Sequence, residues 1–261
     1  MLLHFEVTDP NRNLSSNSKK KDFHLYLLMG QSNMAGRGLV QSIDTITHPR
    51  VMMLDENQQW VLAKDPMHFD KPIAGVGLGL TFGKIMANEN PNITIGLIPT
   101  AVGGSSINAW FADSLHQQTN AYPYNDMILR AKEAMKDGTL KGILWHQGES
   151  DSGNEASVAG YSQKFLAMVD SLKKDLGVES IPIVTGELGY FFYERSPLAE
   201  QLNGELNKLT KENECLSLVS AQGLNHKGDQ THFDSDSYHE LGRRYAQKMI
   251  ELQTTCSTVI K

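Results

Sequence analysis

The sequence contains few cysteines and no cluster of metal ligands. Its two cysteines, Cys215 and Cys256, cannot build the disulfide framework of a small secreted domain, and they lack the close spacing of a zinc or redox pair. We expect buried thiols, or at most one bridge. The nine histidines include no His-Glu-x-x-His motif and no other group with ligand spacing. The sequence therefore predicts neither a metal nor another cofactor.

Positive charge and long apolar runs are also scarce. The 24 Lys and Arg residues are outnumbered by 30 Asp and Glu residues, the formal net charge is -6, and no basic run exceeds Lys19 to Lys21. This balance argues against nucleic acid or an anionic membrane as a partner. After Leu3 the amino terminus turns polar, without the apolar stretch of a signal peptide or a membrane span. We expect a cytoplasmic protein by default, or a secreted or periplasmic one if a leader was removed.

The composition is otherwise that of a globular protein. Hydrophobic residues make up 40% of the chain and charged residues 21%, so the chain can bury a sizeable core. Residues 8–21 are polar and have no apolar period, which is typical of a flexible segment. The sequence therefore predicts an amino-terminal arm over residues 1–21 and a single domain over residues 22–261, and it indicates no oligomeric state.

Apolar runs and helical periods alternate about five times along that domain. The short apolar runs predict buried strands at residues 24–29, 93–98, 142–145, 181–185 and 216–220. Helical periods lie between and after them, at residues 77–88, 127–135, 165–176, 197–213 and 241–252. Residues 39–75 form an irregular insertion with a small hairpin around residues 51–62. This alternation predicts an α/β fold with a central, about five-stranded parallel sheet covered by helices on both faces.

The loop after the first strand carries a candidate nucleophile. In Gly30-Gln31-Ser32-Asn33-Met34, a serine near glycine stands where ligands bind in such sheets, at the carboxyl end of a strand. The alternative is an ordinary Gly/Ser/Asn turn. A phosphate-binding loop is excluded, because the segment lacks the Gly-Lys-Ser/Thr ending of that motif.

A base and oxyanion donors follow other strands. Asp229 precedes His232 by three residues, a spacing that lets the carboxylate orient the imidazole, although such a pair is also common in surface loops. Gly103 and Gly104 offer backbone N–H groups after the second strand, and Gln147 offers a side-chain amide after the third. All of these loops belong to one edge of the predicted sheet.

Taken in order, these blocks resemble the SGNH-hydrolase superfamily, and specifically its sialate O-acetylesterase and acetylxylan esterase branch (carbohydrate esterase family 6). The resemblance spans about residues 22–252. It implies a flavodoxin-like three-layer α/β/α fold and metal-free hydrolysis of acetyl esters on sugars. The blocks that carry the resemblance are Gly30-Gln31-Ser32-Asn33-Met34, Gly103-Gly104-Ser105 with Trp110, His146-Gln147-Gly148-Glu149 and Asp229-x-x-His232.

The resulting hypothesis is a serine hydrolase that removes O-acetyl groups from carbohydrates through an acetyl-serine intermediate. Ser32 is the expected nucleophile and His232 the base. Asp229 is the expected supporting acid, and Glu149 is the competing or auxiliary one. The oxyanion would be bound by the backbone N–H groups of Ser32, Gly103 and Gly104 and by the amide of Gln147.

The sequence leaves the acetylated sugar open. Candidate substrate-binding residues are Asn33, Arg37 and Trp110: an arginine would face the carboxylate of a sialic acid, whereas an aromatic ring would support an acetylated xylan. Arg37 could equally be a solvated loop residue and Trp110 part of the core. The alternative function is a non-catalytic carbohydrate-binding protein on the same fold, and a flavin or nucleotide binder is a third possibility that no motif favours.

Overall fold

The structure is a computed structural model that describes residues 20–256 and the backbone of residues 259 and 260. The predicted arm at residues 1–21 lies almost wholly outside the described residues. None of the helices in this described part is long and apolar enough to cross a membrane.

The strands form one large sheet and one small ribbon. Their bounds, in chain order, are β1 (Phe23–Gly30), β2 (Val51–Leu54), β3 (Trp60–Leu62), β4 (Thr94–Pro99), β5 (Thr139–His146), β6 (Val178–Ser180), β7 (Ile183–Gly186), β8 (Leu216–Val219) and β9 (Val259–Ile260). The large sheet has seven strands in the order β3-β2-β4-β1-β5-β7-β8, so β1 is central. All neighbours in it pair in parallel except β2 and β3. The small ribbon pairs β6 with β9 in antiparallel fashion.

Helices lie between the strands. Their bounds are α1 (Ser32–Ala35), α2 (Gly79–Glu89), α3 (Pro123–Ala134), α4 (Glu155–Ala159), α5 (Tyr161–Leu176), α6 (Ala199–Lys211) and α7 (Ser235–Thr255). Short 3-10 turns occupy Ser42–Thr45, Ile107–Trp110 and Tyr190–Glu194.

The alternation of side chains along β1 divides the core into two layers. Leu25 and Leu27 point to one face of the sheet, where they pack in a cluster with residues of α3, α5 and α6. Tyr26 and Leu28 point to the other face and pack with residues of α2 and α7. Successive residues of a strand point to opposite faces of the sheet. Because helices cover both faces, a continuous apolar run is buried on both faces. The predicted α/β fold with three layers is confirmed.

The sheet is wider than predicted. All five predicted strands are present, and the predicted hairpin is formed by β2 and β3. The hairpin is not an isolated insertion, because β2 also pairs in parallel with β4 and extends the sheet to seven strands. Val51 and Leu54 are buried, which explains why this short run joins the sheet.

The two cysteines form a bridge, the second of the two expected alternatives. Cys215 lies just before β8 and Cys256 just after α7, and their Cα atoms are 5.1 Å apart. The bridge ties the carboxyl end of the last helix to the edge strand of the sheet.

Candidate active site

The carboxyl ends of β1, β4 and β5 meet at one edge and set the position of the loop that holds Ser32. The backbone N–H of Gln31 donates to the carbonyl of His146 (3.0 Å), and that of Val102 donates to the carbonyl of Gly30 (2.9 Å). Gly30 has φ +132°, and a Cβ atom there would lie 2.1 Å from the carbonyl oxygen of His146. Only glycine permits this close approach. Ser32 then begins α1 directly at the sheet edge.

Ser32, His232 and Asp229 form a connected triad. The Nε2 atom of His232 lies 3.0 Å from the Oγ of Ser32, and its Nδ1 lies 2.7 Å from Oδ2 of Asp229. The second carboxylate oxygen of Asp229 accepts the backbone N–H groups of Thr231 (3.0 Å) and His232 (2.8 Å). The three-residue spacing thus closes a tight loop in which the carboxylate holds both the backbone and the ring of His232. This geometry is that of a nucleophile, a base and an orienting acid.

The surroundings of the triad set the charge of its members. Burial alone would raise the pKa of Asp229, but the hydrogen bonds from the backbone and ring of His232 outweigh it and hold that pKa at about 2. Burial lowers the pKa of His232 below its usual 6.5, with Asp229 opposing and Lys227 and Arg37 adding to the shift. Near neutral pH, Asp229 is therefore a carboxylate and His232 a neutral imidazole able to accept a proton.

An open cleft of about 390 Å³ lies over the triad. Ser32 is 7% exposed, so its hydroxyl lies at the floor rather than on the surface. The remaining lining residues come from several loops and include Arg37, Lys71, Gly103, Gly104, Gln118, Glu149, Ser150, Phe192, Arg195 and Thr231.

Of the three predicted backbone oxyanion donors, two are available and one is not. Among the described hydrogen bonds, none is donated by the backbone N–H of Ser32 or Gly104. The N–H of Gly103, in contrast, donates to Oδ2 of Asp70 (2.8 Å). Gly104 has φ +85°, lines the cleft, and its carbonyl accepts from the hydroxyl of Ser150 (3.0 Å). The predicted role of Gly103 as a donor does not agree with this geometry.

Gln147 does not face the cleft. It is fully buried, and its Nε2 atom donates to Oε1 of Gln31 (3.0 Å), the carbonyl of Ser105 (3.1 Å) and Oδ2 of Asp151 (2.6 Å). Its Oε1 accepts from the hydroxyl of Tyr161 (2.8 Å). The structure therefore does not support direct donation from this amide to an oxyanion. Gln147 instead ties together the loops that carry Ser32, Gly104 and Glu149.

Glu149 lines the cleft but is not bonded to the histidine. Its Oε1 accepts from Nδ2 of Asn33 (2.5 Å), while its Oε2 is buried without a partner in the described structure. Burial raises the pKa of this carboxyl to about 7, against the lowering effect of Asn33. Of the two candidate acids, only Asp229 contacts His232.

The predicted substrate-binding residues are buried. Asn33 is 1% exposed and also donates to the carbonyl of Thr231 (2.9 Å), so it joins the serine and histidine loops. Trp110 is fully buried, donates to Oγ of Ser105 (3.1 Å) and packs edge-on against Trp145. Both are therefore part of the framework of the site rather than exposed sugar contacts.

Arg37 lines the cleft, but its charge is already paired. Its Nη2 lies 2.5 Å from Oδ2 of Asp70, and the two side chains are 1% and 2% exposed. Because Asp70 also accepts from Gly103, the pair forms a buried clamp that we call the Arg37–Asp70 clamp. It fixes the loop of Gly103 and Gly104 and leaves little of the Arg37 guanidinium for a ligand.

Asp70, Lys71, Gln118 and Arg195 were not found from the sequence. Asp70 and Lys71 belong to the irregular insertion, which has no apolar period, and their neighbours at the cleft come from distant segments. The Nζ of Lys71 donates to Oε1 of Gln118 (2.9 Å), and a guanidinium nitrogen of Arg195 donates to the hydroxyl of Thr231. Neither cation has a carboxylate within 4.0 Å among the described ion pairs. Only the tertiary fold brings these groups together.

The described residues contain no group of three or more His, Cys, Asp or Glu side chains that could hold a metal ion.

Known proteins are similar to this chain both in sequence and in fold. Residues 22–251 match the family described as carbohydrate esterase, sialic acid-specific acetylesterase. A probable carbohydrate esterase of Arabidopsis thaliana is 30% identical over 247 residues, which cover 85% of this chain and 88% of that protein. Its solved structure matches with a TM-score of 0.78 at 26% identity, over 87% of this chain and 98% of that one.

Two further solved structures share the fold at lower identity. NanS matches with a TM-score of 0.72 at 18% identity, over 90% of this chain and 99% of that chain. A carbohydrate acetylesterase from Xanthomonas citri matches with a TM-score of 0.68 at 18% identity, over 88% of this chain and 56% of that chain.

Proposed function

Because the chain belongs to the carbohydrate esterase family of sialic acid-specific acetylesterases, we propose that it cleaves O-acetyl groups from sugars through an acetyl-serine intermediate. The chain is a carbohydrate acetylesterase. The serine mechanism rests on one observation above all, the continuous hydrogen-bonded path from Ser32 through His232 to Asp229.

In the first step, Oγ of Ser32 attacks the acetyl carbonyl carbon while Nε2 of His232 takes the hydroxyl proton. A bond forms between Oγ and the carbonyl carbon, and the carbonyl oxygen becomes an oxyanion. Asp229 holds the Nδ1–H tautomer and stabilises the imidazolium that forms. Collapse of the intermediate breaks the ester bond, and His232 returns the proton to the departing sugar hydroxyl.

The oxyanion is bound by the backbone N–H groups of Ser32 and Gly104. Both are unengaged among the described hydrogen bonds, and both belong to residues that line the cleft. Preorganised donors of this kind contribute because they need no rearrangement when the charge develops. In the second step, water attacks the acetyl-serine with His232 as base, which releases acetate and restores Ser32.

The cleft favours a negatively charged sugar. Lys71 and Arg195 stand at its rim without a carboxylate partner among the described ion pairs. Among its described lining residues, Phe192 is the only Phe, Tyr or Trp. An O-acetylated sugar acid such as a sialic acid would place its carboxylate near these cations, whereas acetylated xylan would need aromatic platforms. Parallel acetate-release assays on both substrates distinguish the two.

Replacement of the nucleophile tests the mechanism. We expect Ser32→Ala to abolish acetate release and labelling by serine-directed organophosphates, because no other described hydroxyl has a hydrogen bond to His232. Circular dichroism and thermal unfolding should match the parent, since one hydroxyl at the cleft floor is lost. Undiminished turnover by a well-folded variant would exclude Ser32 as the nucleophile. Sugar binding without turnover by the parent would instead support the non-catalytic alternative.

A further inference from the structure

A second cavity of about 240 Å³ lies behind the loop that carries Gly103 and Gly104. Residues adjacent in the chain separate this cavity from the catalytic cleft. Asp70, Val102 and Thr119 line the cavity. Their chain neighbours Lys71, Gly103 and Gln118 line the cleft. The volume is slightly below the ~300–1,000 Å³ typical of small-molecule sites, so it fits a compact ligand. The catalytic mechanism uses none of its polar groups.

A buried guanidinium lines this cavity. Arg130 is 8% exposed, and it donates to the backbone carbonyls of Pro99 (3.2 Å) and Leu54 (2.6 Å). Its guanidinium carbon lies 4.8 Å from the ring centre of Phe69. No carboxylate lies within 4.0 Å of it among the described ion pairs, although Asp55 and Asp126 act on it from further away. The charge of this guanidinium is therefore not neutralised by a direct carboxylate partner, and a guanidinium of this kind can form charge-assisted hydrogen bonds with an anionic oxygen.

Two further polar atoms in the residues lining the cavity lack partners. Nε2 of His68 and Oγ1 of Thr119 are buried without a hydrogen bond in the described structure. Burial lowers the pKa of His68 to about 4, and its ring is bonded to the backbone of Leu28, so Nε2 is an acceptor at neutral pH. A buried polar atom without a partner is costly, and a ligand hydroxyl would relieve that cost.

The charges around the cavity restrict the anion. The carboxylate of Asp70 is already paired with Arg37, and Asp126 is an exposed carboxylate in the lining. One buried cation beside these acids suits a single negative charge, and a doubly charged phosphate would be repelled. Asp126 and His68 offer acceptors, so the rest of the ligand must bring donors. We propose that this cavity binds a compact sugar acid, with its carboxylate on Arg130 and its hydroxyls on His68, Thr119 and Asp126.

Calorimetric titration with D-glucuronate tests this site, with D-glucose as the neutral control. We expect saturable glucuronate binding and at least tenfold weaker glucose binding, because glucose cannot pair with Arg130. Thr119→Val, which keeps the side-chain shape, should weaken glucuronate binding by about two- to tenfold through one lost hydrogen bond. Arg130→Lys should weaken it by about tenfold or more, because the planar fork is lost. Thermal unfolding verifies that both variants fold.

A double variant of the cleft separates this cavity from the catalytic site. Lys71→Ala with Arg195→Ala removes the cations at the rim of the cleft, so glucuronate affinity should stay within about twofold of the parent if the second cavity is the site. Loss of binding in this variant, with binding retained in Thr119→Val, would place the ligand in the cleft and overturn the proposal. Absence of saturable binding, or equal affinity for glucose, would also overturn it. Because the cleft is also proposed to favour a sugar acid, only the affinity that survives in the double variant is assigned to the second cavity. Acetate release by the parent, measured separately, tests the catalytic proposal.

Discussion

At the scale of single residues, Asp229 and Glu149 are two carboxyls with opposite surroundings. Asp229 accepts three hydrogen bonds from Thr231 and His232, and its pKa is held at about 2. Glu149 is desolvated, has one unpartnered oxygen, and has a pKa raised to about 7. Asp229 therefore stays ionised and can stabilise an imidazolium, whereas the surroundings of Glu149 favour its neutral form.

Amide replacements of these two acids should have unequal effects on turnover. Asp229→Asn loses the acceptor that fixes the tautomer of His232, so kcat should fall by about 10⁴-fold. Glu149→Gln keeps a hydrogen-bond acceptor for Asn33, and kcat should fall much less. The comparison is made at pH 8, where the lowered pKa of His232 leaves the imidazole neutral. If Glu149→Gln lowers kcat more while the fold is unchanged, Glu149 replaces Asp229 as the supporting acid.

Glu149 should also give the protein a pH-dependent stability. A carboxyl whose pKa is raised on folding, from 4.5 to about 7, binds its proton more tightly in the folded state. Stability from this group is therefore full below about pH 4.5 and is lost as pH rises towards and past 7. As pH rises from 5 to about 8, we expect the melting temperature of the parent to fall relative to that of Glu149→Gln, because only the parent has a carboxyl that ionises at this position. A difference that does not change with pH would show that Glu149 ionises normally in the fold.

At the scale of elements, the Arg37–Asp70 clamp connects the loop after β1 with the loop after β4. Asp70 accepts from Gly103 (2.8 Å) and pairs with Arg37 (2.5 Å), and these residues come from segments with no regular structure of their own. The clamp therefore sets the position of Gly104 relative to Ser32.

Asp70→Asn should damage both stability and turnover. The amide cannot neutralise the buried Arg37, and an unpaired buried charge costs about 3–5 kcal/mol of unfolding free energy, measured by urea titration. Among molecules that remain folded, kcat should also fall, because loss of the clamp displaces the backbone N–H of Gly104 that is proposed to bind the oxyanion. Glu133→Gln is the matched control, because it breaks the exposed pair with Lys136 and should change stability by less than about 1 kcal/mol. Equal effects of the two variants would argue against a role for the clamp.

Elements were easier to predict from the sequence than contacts. The strands at residues 24–29 and 93–98 are continuous apolar runs because both of their faces are covered, and that signal is local. The Asp229 and His232 spacing is also local, and the structure shows the hydrogen bond that it predicts. Gln147 and Gly103 are different: their donors turn to Asp151 and Asp70, and only the tertiary fold determines those partners.

At the scale of the whole molecule, the Cys215–Cys256 bridge joins the ends of β8 and α7 over a separation of 41 residues. Because disulfides persist in oxidising compartments, we propose the secreted or periplasmic alternative rather than the cytoplasmic default. Reduction, or Cys215→Ser with Cys256→Ser, should lower the unfolding free energy by about 2–4 kcal/mol by freeing the unfolded chain. Turnover at low temperature should persist, because neither cysteine lines the cleft. A reductant should leave the double variant unaffected, and equal stability of bridged and reduced parent would contradict the prediction.

The order of the triad along the chain has a consequence for biosynthesis. Ser32 follows the central strand, whereas its base lies 200 residues later, just before the last helix. A ribosome therefore completes every strand of the large sheet before it adds His232. On the proposed mechanism, the serine of the nascent chain has no proton acceptor until then. The same proposal implies that esterase activity arises only after nearly the whole chain has been synthesised, and that a chain released before residue 229 is inactive.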